Sequence, residues 1–131
     1  MKINIAKIAK HYKEKVPEIE FAYIFGSATN GFVEKGSDVD ISFYIVEKAK
    51  IDYNLINKIL IIFEELYPQL NLDISFFNQS SVILAFEALS GKRLFVRESF
   101  FENFVSFFSL TAREYEDETA WRSKQLKIRG Y

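Results

Sequence analysis

Apolar residues recur at helical spacing early in the chain, at Ile5, Ile8, Ala9, Tyr12 and Val16, and Pro17 breaks the pattern. Positions three and four apart share one face of a helix, so the stretch predicts an amphipathic helix that ends before the proline. The period then changes. Glu20 to Phe25 (EFAYIF) is short and almost wholly apolar, as a buried strand is, and Gly26 stops it. From Ser27 to about Gly31 there is room for a single helical turn, and a loop holding Gly31 and Gly36 follows. Asp38 to Val46 (DVDISFYIV) alternates and reads as a second strand.

Asp52 is placed to cap a helix whose stripe is Ile56, Ile59, Leu60, Phe63 and Tyr67, and Pro68 ends it. Leu70 to Phe77 (LNLDISFF) returns to period two as a third strand. Ser80 or Ser81 opens another helix that stops near Ser90, with Gly91 as its C-terminal cap. Leu94 to Val96 lies in a short fourth strand, and Ser99 with Glu102 makes a capping-box pattern at the head of a final helix reaching about Lys124. This order predicts an α/β (α+β) fold: a small mixed sheet of about four strands with helices packed against it.

Composition narrows the function classes. A chain of 131 residues supports one core, so residues 1–131 are read as a single domain with a C-terminal helix and a basic tail. A net charge of -1 argues against a nucleic-acid-coating role, and no direct nucleic-acid binding is expected. The absence of cysteine excludes disulfides and thiolate metal sites and suits a reducing compartment. No apolar run is long enough to cross a bilayer, and MKINIAKIAKHYKEK alternates apolar residues with lysines, so no membrane association and a cytoplasmic location are expected. His11 has no second His or Cys with which to build a zinc site.

Phenylalanine is abundant, 14 residues, and concentrates in ESFFENFVSFFSL. Phe101, Phe104, Val105 and Phe108 form one stripe of the final helix, and Phe100, Phe107 and Leu110 extend it around. Two readings stay open: a deeply buried helix, or a surface that joins a partner in a hetero-oligomer. The tail WRSKQLKIRGY is basic after acidic EYEDE and is read as a frayed, solvated end.

The chemistry lies in the second and third strands. Alternate side chains of a strand share a face, so Asp38, Asp40 and Ser42 point away from Val39, Ile41 and Phe43. In the third strand Leu72, Ile74 and Phe76 are the apolar set, leaving Asp73 and Ser75 opposite. If the two strands are neighbours, three carboxylates meet in one patch. They would repel unless a cation joined them, and hard Mg²⁺ takes oxygen ligands while leaving room for water and phosphate. Two such ions can clamp the attacking and leaving oxygens of an in-line phosphoryl displacement. Ser42 and Ser75 read as bystanders. At Gly26-Ser27 a strand turns into a helical turn, which offers unpaired backbone N–H groups and a hydroxyl to phosphate. Carboxylates and phosphate cradle together suit nucleotidyl transfer from a nucleoside triphosphate.

Gly26-Ser27, ten residues, then Asp38-Val39-Asp40 resembles the glycine-serine/DxD signature of the polymerase-beta-like nucleotidyltransferases. The short chain and the late GKRLFVRES segment look most like the minimal nucleotidyltransferases, the MNT antitoxins encoded beside HEPN-domain toxins. That resemblance implies Asp38, Asp40 and Asp73 as catalytic residues and Mg²⁺ ligands, with Asp73 helping to deprotonate the acceptor. It implies Gly26 and Ser27 as the nucleotide-binding pair, and ATP as substrate. The implied reaction moves AMP onto a tyrosine of a HEPN RNase toxin, which is thereby silenced. Two alternatives stand beside it: a catalytically weak antitoxin that acts by binding alone, or transfer to a small hydroxylated molecule. One departure is visible. Relatives often carry Arg before the glycine (GSxxRG), where this chain has Asn30, and Lys35, Lys92 and Arg93 are the cations available to replace it.

Overall fold

A computed structural model describes the backbone of residues 1–128 and the side chains of residues 1–126. Helix α1 (Ile5–Lys15) is capped by Asn4, whose side chain accepts from the Lys7 amide, and it ends one residue before Val16 and Pro17. Strand β1 (Ile19–Phe25) runs into a 3₁₀ turn, Gly26–Asn30. Strand β2 (Asp38–Ile45), helix α2 (Tyr53–Leu66) and strand β3 (Asn71–Phe76) follow. Helix α3 (Val82–Leu89), strand β4 (Lys92–Val96) and helix α4 (Phe101–Ile128) complete the order. Asp52 and Ser81 cap α2 and α3, accepting from the Leu55 and Leu84 amides at 3.0 and 3.2 Å.

The four strands form one mixed sheet in the order β3-β2-β1-β4. β1 pairs antiparallel with β2 and β4, and β2 pairs parallel with β3. A parallel pair needs a crossover, and α2 supplies it. Helices cover both faces. Ala22 and Ile24 of β1 join Val39, Ile41 and Phe43 of β2 against Ile8, Tyr12, Ile59 and Phe63 of α1 and α2. Phe21, Tyr23 and Phe25 turn the other way and pack with Phe77, Ala85, Ala88, Leu89 and Phe104. Phe21 is fully buried, its ring 4.9 Å from those of Tyr44 and Phe104. Such pairs add about 1 kcal/mol each beyond area burial, so this aromatic cluster fixes α4 on the sheet.

Two further contacts hold the ends of β1. The Arg97 guanidinium donates to the carbonyls of Ile19, Lys13 and Val16 at 2.6, 2.9 and 2.8 Å, fastening the end of α1 to the start of β1. At the other end, the Ile3 amide donates to Gly31 O and the Val33 amide to Met1 O, each at 2.8 Å, so the first residues clip the loop that follows the 3₁₀ turn. Buried Ile3, Ala28 and Val33 lie under that clip.

Three expectations need correction. Gly91 does not take the left-handed conformation of a glycine cap; positive φ occurs at Gly26, Gly31 and Gly36. Close approach of β1 requires the glycine, because a Cβ there would overlap the Ile24 carbonyl and stand 2.7 Å from Phe25 Cβ. The Ser99/Glu102 capping box is not the start of α4. Ser99 falls inside a 3₁₀ turn (Glu98–Phe100), and the helix begins at Phe101. Nor is the tail frayed where it is described: Trp121 to Ile128 continue α4, and residues 129–131 lie outside the described residues.

The Phe-rich segment divides between its two readings. Phe104 is buried and Phe107 half-buried on the sheet, while Phe101, Val105 and Phe108 are 50%, 43% and 42% exposed along the helix. Both faces are therefore apolar, and one is covered.

Candidate active site

Asp38 opens β2 and Asp40 follows one step in on the same face, opposite buried Val39 and Ile41. Parallel pairing sets Asp40 against Asp73 and Asp38 against Asn71, so the third carboxyl arrives from β3 on the predicted face. Asp38 and Asp73 are exposed, and Asp40 is half-buried between them and β1. On its other side Asp40 pairs with Phe25, the last residue before the Gly26 turn. Gly26 has φ +74°, and a Cβ there would overlap Asp40 Oδ2. The carboxylate thus rests against bare main chain. Ser27 is exposed next to it, and the Thr29 hydroxyl donates to Gly26 O at 3.1 Å, tightening the turn.

Burial pushes the Asp40 carboxyl up to about 6, aided by a hydrogen bond with Asp73 and by the negative charges of Asp73, Asp38 and Glu87. These are the marks of a carboxylate cluster short of positive charge. Glu87 was not anticipated as a neighbour. It is the one charged residue in α3, VILAFEAL, and that lone charge in an apolar helix is the signal that could have drawn attention to it.

Among the described residues, no group of three or more His, Cys, Asp or Glu side chains is gathered tightly enough to enclose a metal ion. The residues nevertheless fit a hard cation. Their donors are all oxygen, Asp40 and Asp73 are paired across neighbouring strands, and Mg²⁺ commonly takes one or two carboxylates and completes its shell with water and phosphate.

The model for the family "Polymerase beta, Nucleotidyltransferase" matches residues 4–100. This chain belongs to that family. No curated protein matches it. Among solved structures, the nucleotidyltransferase is similar to a chain of a toxin-antitoxin with AMP-PNP, at TM-score 0.72 and 19% identity, over 98% of this chain and 100% of that one. It is similar to a chain of an MntA-HpeT toxin-antitoxin in which two aspartates spaced as in DxD are both changed to glutamate (TM-score 0.71, 18% identity, 98% and 100% covered). It is also similar to a chain of the Shewanella oneidensis complex of tri-AMPylated HEPN toxin with MNT antitoxin (TM-score 0.65, 17% identity, 97% and 96% covered). The fold of the MNT antitoxins, expected from the Gly26-Ser27 and Asp38-x-Asp40 pattern, is the fold found.

In this nucleotidyltransferase the loop departure at Asn30 has a local use. Asn30 Oδ1 accepts from the Phe32 amide at 3.0 Å, forming a turn around Gly31. Of the cations named as replacements, Arg93 is occupied, its guanidinium 4.8 Å above the Phe104 ring and its Nε 3.4 Å from the Tyr23 hydroxyl. Lys92 shares with Asn30, Gly31 and Lys2 a cavity of about 590 Å³. Lys35 lies exposed in the loop between the turn and β2.

Gly26→Ala tests how closely the nucleotidyltransferase needs its main chain against Asp40. Positive φ costs alanine about 1 kcal/mol. The overlapping atom is the movable end of a side chain, so stability should fall little further. The displaced carboxylate should cost about 100-fold in nucleotidyl transfer, measured as single-turnover rate beside a denaturation midpoint.

Proposed function

We propose that this nucleotidyltransferase is the antitoxin of a HEPN-domain RNase toxin and silences it by Mg²⁺-dependent transfer of AMP from ATP to a tyrosine hydroxyl. The observation that carries the reading is the meeting of Asp40 and Asp73 in register, with Asp38 one step along and the Gly26 main chain packed on Asp40. Neighbours in fold add support, since they come from toxin-antitoxin structures with AMP-PNP and with an AMPylated HEPN toxin.

In this reading the backbone N–H groups of the 3₁₀ turn and the Ser27 hydroxyl receive the triphosphate oxygens. Asp38, Asp40 and Asp73 would hold the magnesium, which would supply charge neutralisation for the phosphates and acidify the attacking hydroxyl. The tyrosine oxygen forms a bond to the α-phosphorus as the bond from that phosphorus to the β-phosphate oxygen breaks. Pyrophosphate leaves, and Asp73, which is exposed, would take the phenolic proton.

The exposed stripe Phe101, Val105 and Phe108 supports a hetero-oligomer in which α4 meets the toxin, and thereby a contribution of binding to neutralisation. The test is incubation with the co-expressed toxin, Mg²⁺ and α-labelled ATP. Label should appear on a toxin tyrosine, with release of pyrophosphate. Label on a small metabolite would move the acceptor to the small-molecule class. Neutralisation with no label at all would leave contact alone as the mechanism.

A further inference from the structure

The face that carries the acidic residues is built in rows across three strands. Phe25, Asp40 and Asp73 make one row; Tyr23, Ser42 and Ser75 make the next; Phe21 and Tyr44 lie beyond. Ser42 is 1% exposed. Its hydroxyl and that of Ser75 are both buried, and neither has a hydrogen-bond partner in the protein. A buried hydroxyl without a partner costs roughly 1–3 kcal/mol. Alanine would fill the same space without that cost. Two such hydroxyls, paired across neighbouring strands, are a costly arrangement for bystanders.

Their surroundings narrow what they serve. Towards the core lie the rings of Phe21 and Tyr44, stacked 4.9 Å apart between centroids. Beside Ser42 is Tyr23, whose hydroxyl is engaged by Arg93 at 3.4 Å. Along the strands in the opposite direction the next row holds Asp40 and Asp73. Same-face neighbours on a strand stand about 6.6 Å apart at Cα, a gap that a hydroxyl-to-carboxylate hydrogen bond closes directly or through one water.

We propose that Ser42 and Ser75 are positioning residues: when nucleotide and cation occupy the site, their hydroxyls donate to the inner oxygens of Asp40 and Asp73. The outer oxygens then face the ligand in fixed orientation. A cation's carboxylate ligands need such second partners to hold their direction. Within the protein itself neither serine hydroxyl has another partner to donate to. The inference rests on the nucleotidyl-transfer reading above.

The test is the Ser42→Ala/Ser75→Ala double variant, measured against wild type and Asp40→Asn. Without ligand it should melt no lower than wild type, and by up to about 5 °C higher, because unpaired hydroxyls have gone. With toxin and saturating ATP, transfer should slow by about 10–100-fold. The Mg²⁺ concentration for half-maximal ATP binding, titrated without toxin, should rise by a similar factor. Ser75→Thr, which keeps the hydroxyl at the half-buried position, should behave as wild type. A double variant that transfers and titrates Mg²⁺ normally overturns the proposal. So does one whose activity loss is matched by a lower melting temperature, which would make the hydroxyls structural. If Asp40→Asn also transfers normally, the catalytic reading itself fails and this inference falls with it.

Discussion

Asparagine at either Asp38 or Asp40 is expected to reduce AMP transfer to the toxin by about 10³-fold or more, with the fold intact. Losing one preorganised electrostatic group in an active site commonly costs 10²–10³-fold, and in the proposed mechanism the same group would also hold the cation that positions the phosphates. The fold should survive for reasons visible in the site. Asp38 is exposed. Asp40 is a burden to the ligand-free fold, because burial and three negative neighbours oppose its charge. The folded chain therefore keeps the Asp40 proton up to about pH 6, whereas the unfolded chain releases it near 3.8. Between those values the folded state binds more protons, so stability falls as pH rises, and the loss persists above pH 6. Asp40→Asn escapes it. Its melting temperature should exceed wild type's by a few degrees near neutrality and match it below pH 3.8. Asparagine variants that fold and still label the toxin at the wild-type rate would refute the catalytic assignment.

The parts of this architecture governed by local pattern were legible in the chain. Asp52 and Ser81 cap helices as their residue types and the apolar stripes behind them require. Alternation in DVDISFYIV put the aspartates opposite Val39 and Ile41, and that is where they are. Whether Asp73 would join them depended on strand order, which periodicity does not encode. The helical crossover between β2 and β3 decided it by making the two strands parallel neighbours.

What stayed hidden was set by tertiary contact. The clip of residues 1–3 on the loop is carried by main-chain hydrogen bonds, which leave little trace in side-chain pattern. Gly91 sits where a C-terminal cap belongs, yet its missing Cβ serves the neighbouring strand. Along α4, too many positions are aromatic for a single stripe to stand out. Packing chose Phe104 and Phe107 for the sheet and left Phe101, Val105 and Phe108 outside. That helix also lies beyond the residues matched by the family model, which end at 100.

Gly91→Ala should be among the most destabilising single substitutions available, on the order of 3 kcal/mol. The methyl would overlap the Ile24 carbonyl and stand 2.7 and 2.9 Å from Phe25 Cβ and Cα. Unlike the contact at Gly26, two of these three neighbours are main chain, so no rotamer change relieves the overlap. β1 is buried along its length between β2 and β4 and cannot yield. β4 is an edge strand, but buried Phe95 and the three hydrogen bonds of Arg97 tie its far end down. The strain must therefore pass into the end of β1, where Phe25 pairs with Asp40 and Gly26 begins the turn. A lowered denaturant midpoint should thus come with weakened AMP transfer in the molecules that remain folded. For Gly26→Ala, activity should fall far more than stability; for Gly91→Ala, both should fall. A loss of under about 1 kcal/mol at Gly91 would mean that β4 moves outward at little cost and that its packing against β1 is looser than these contacts imply.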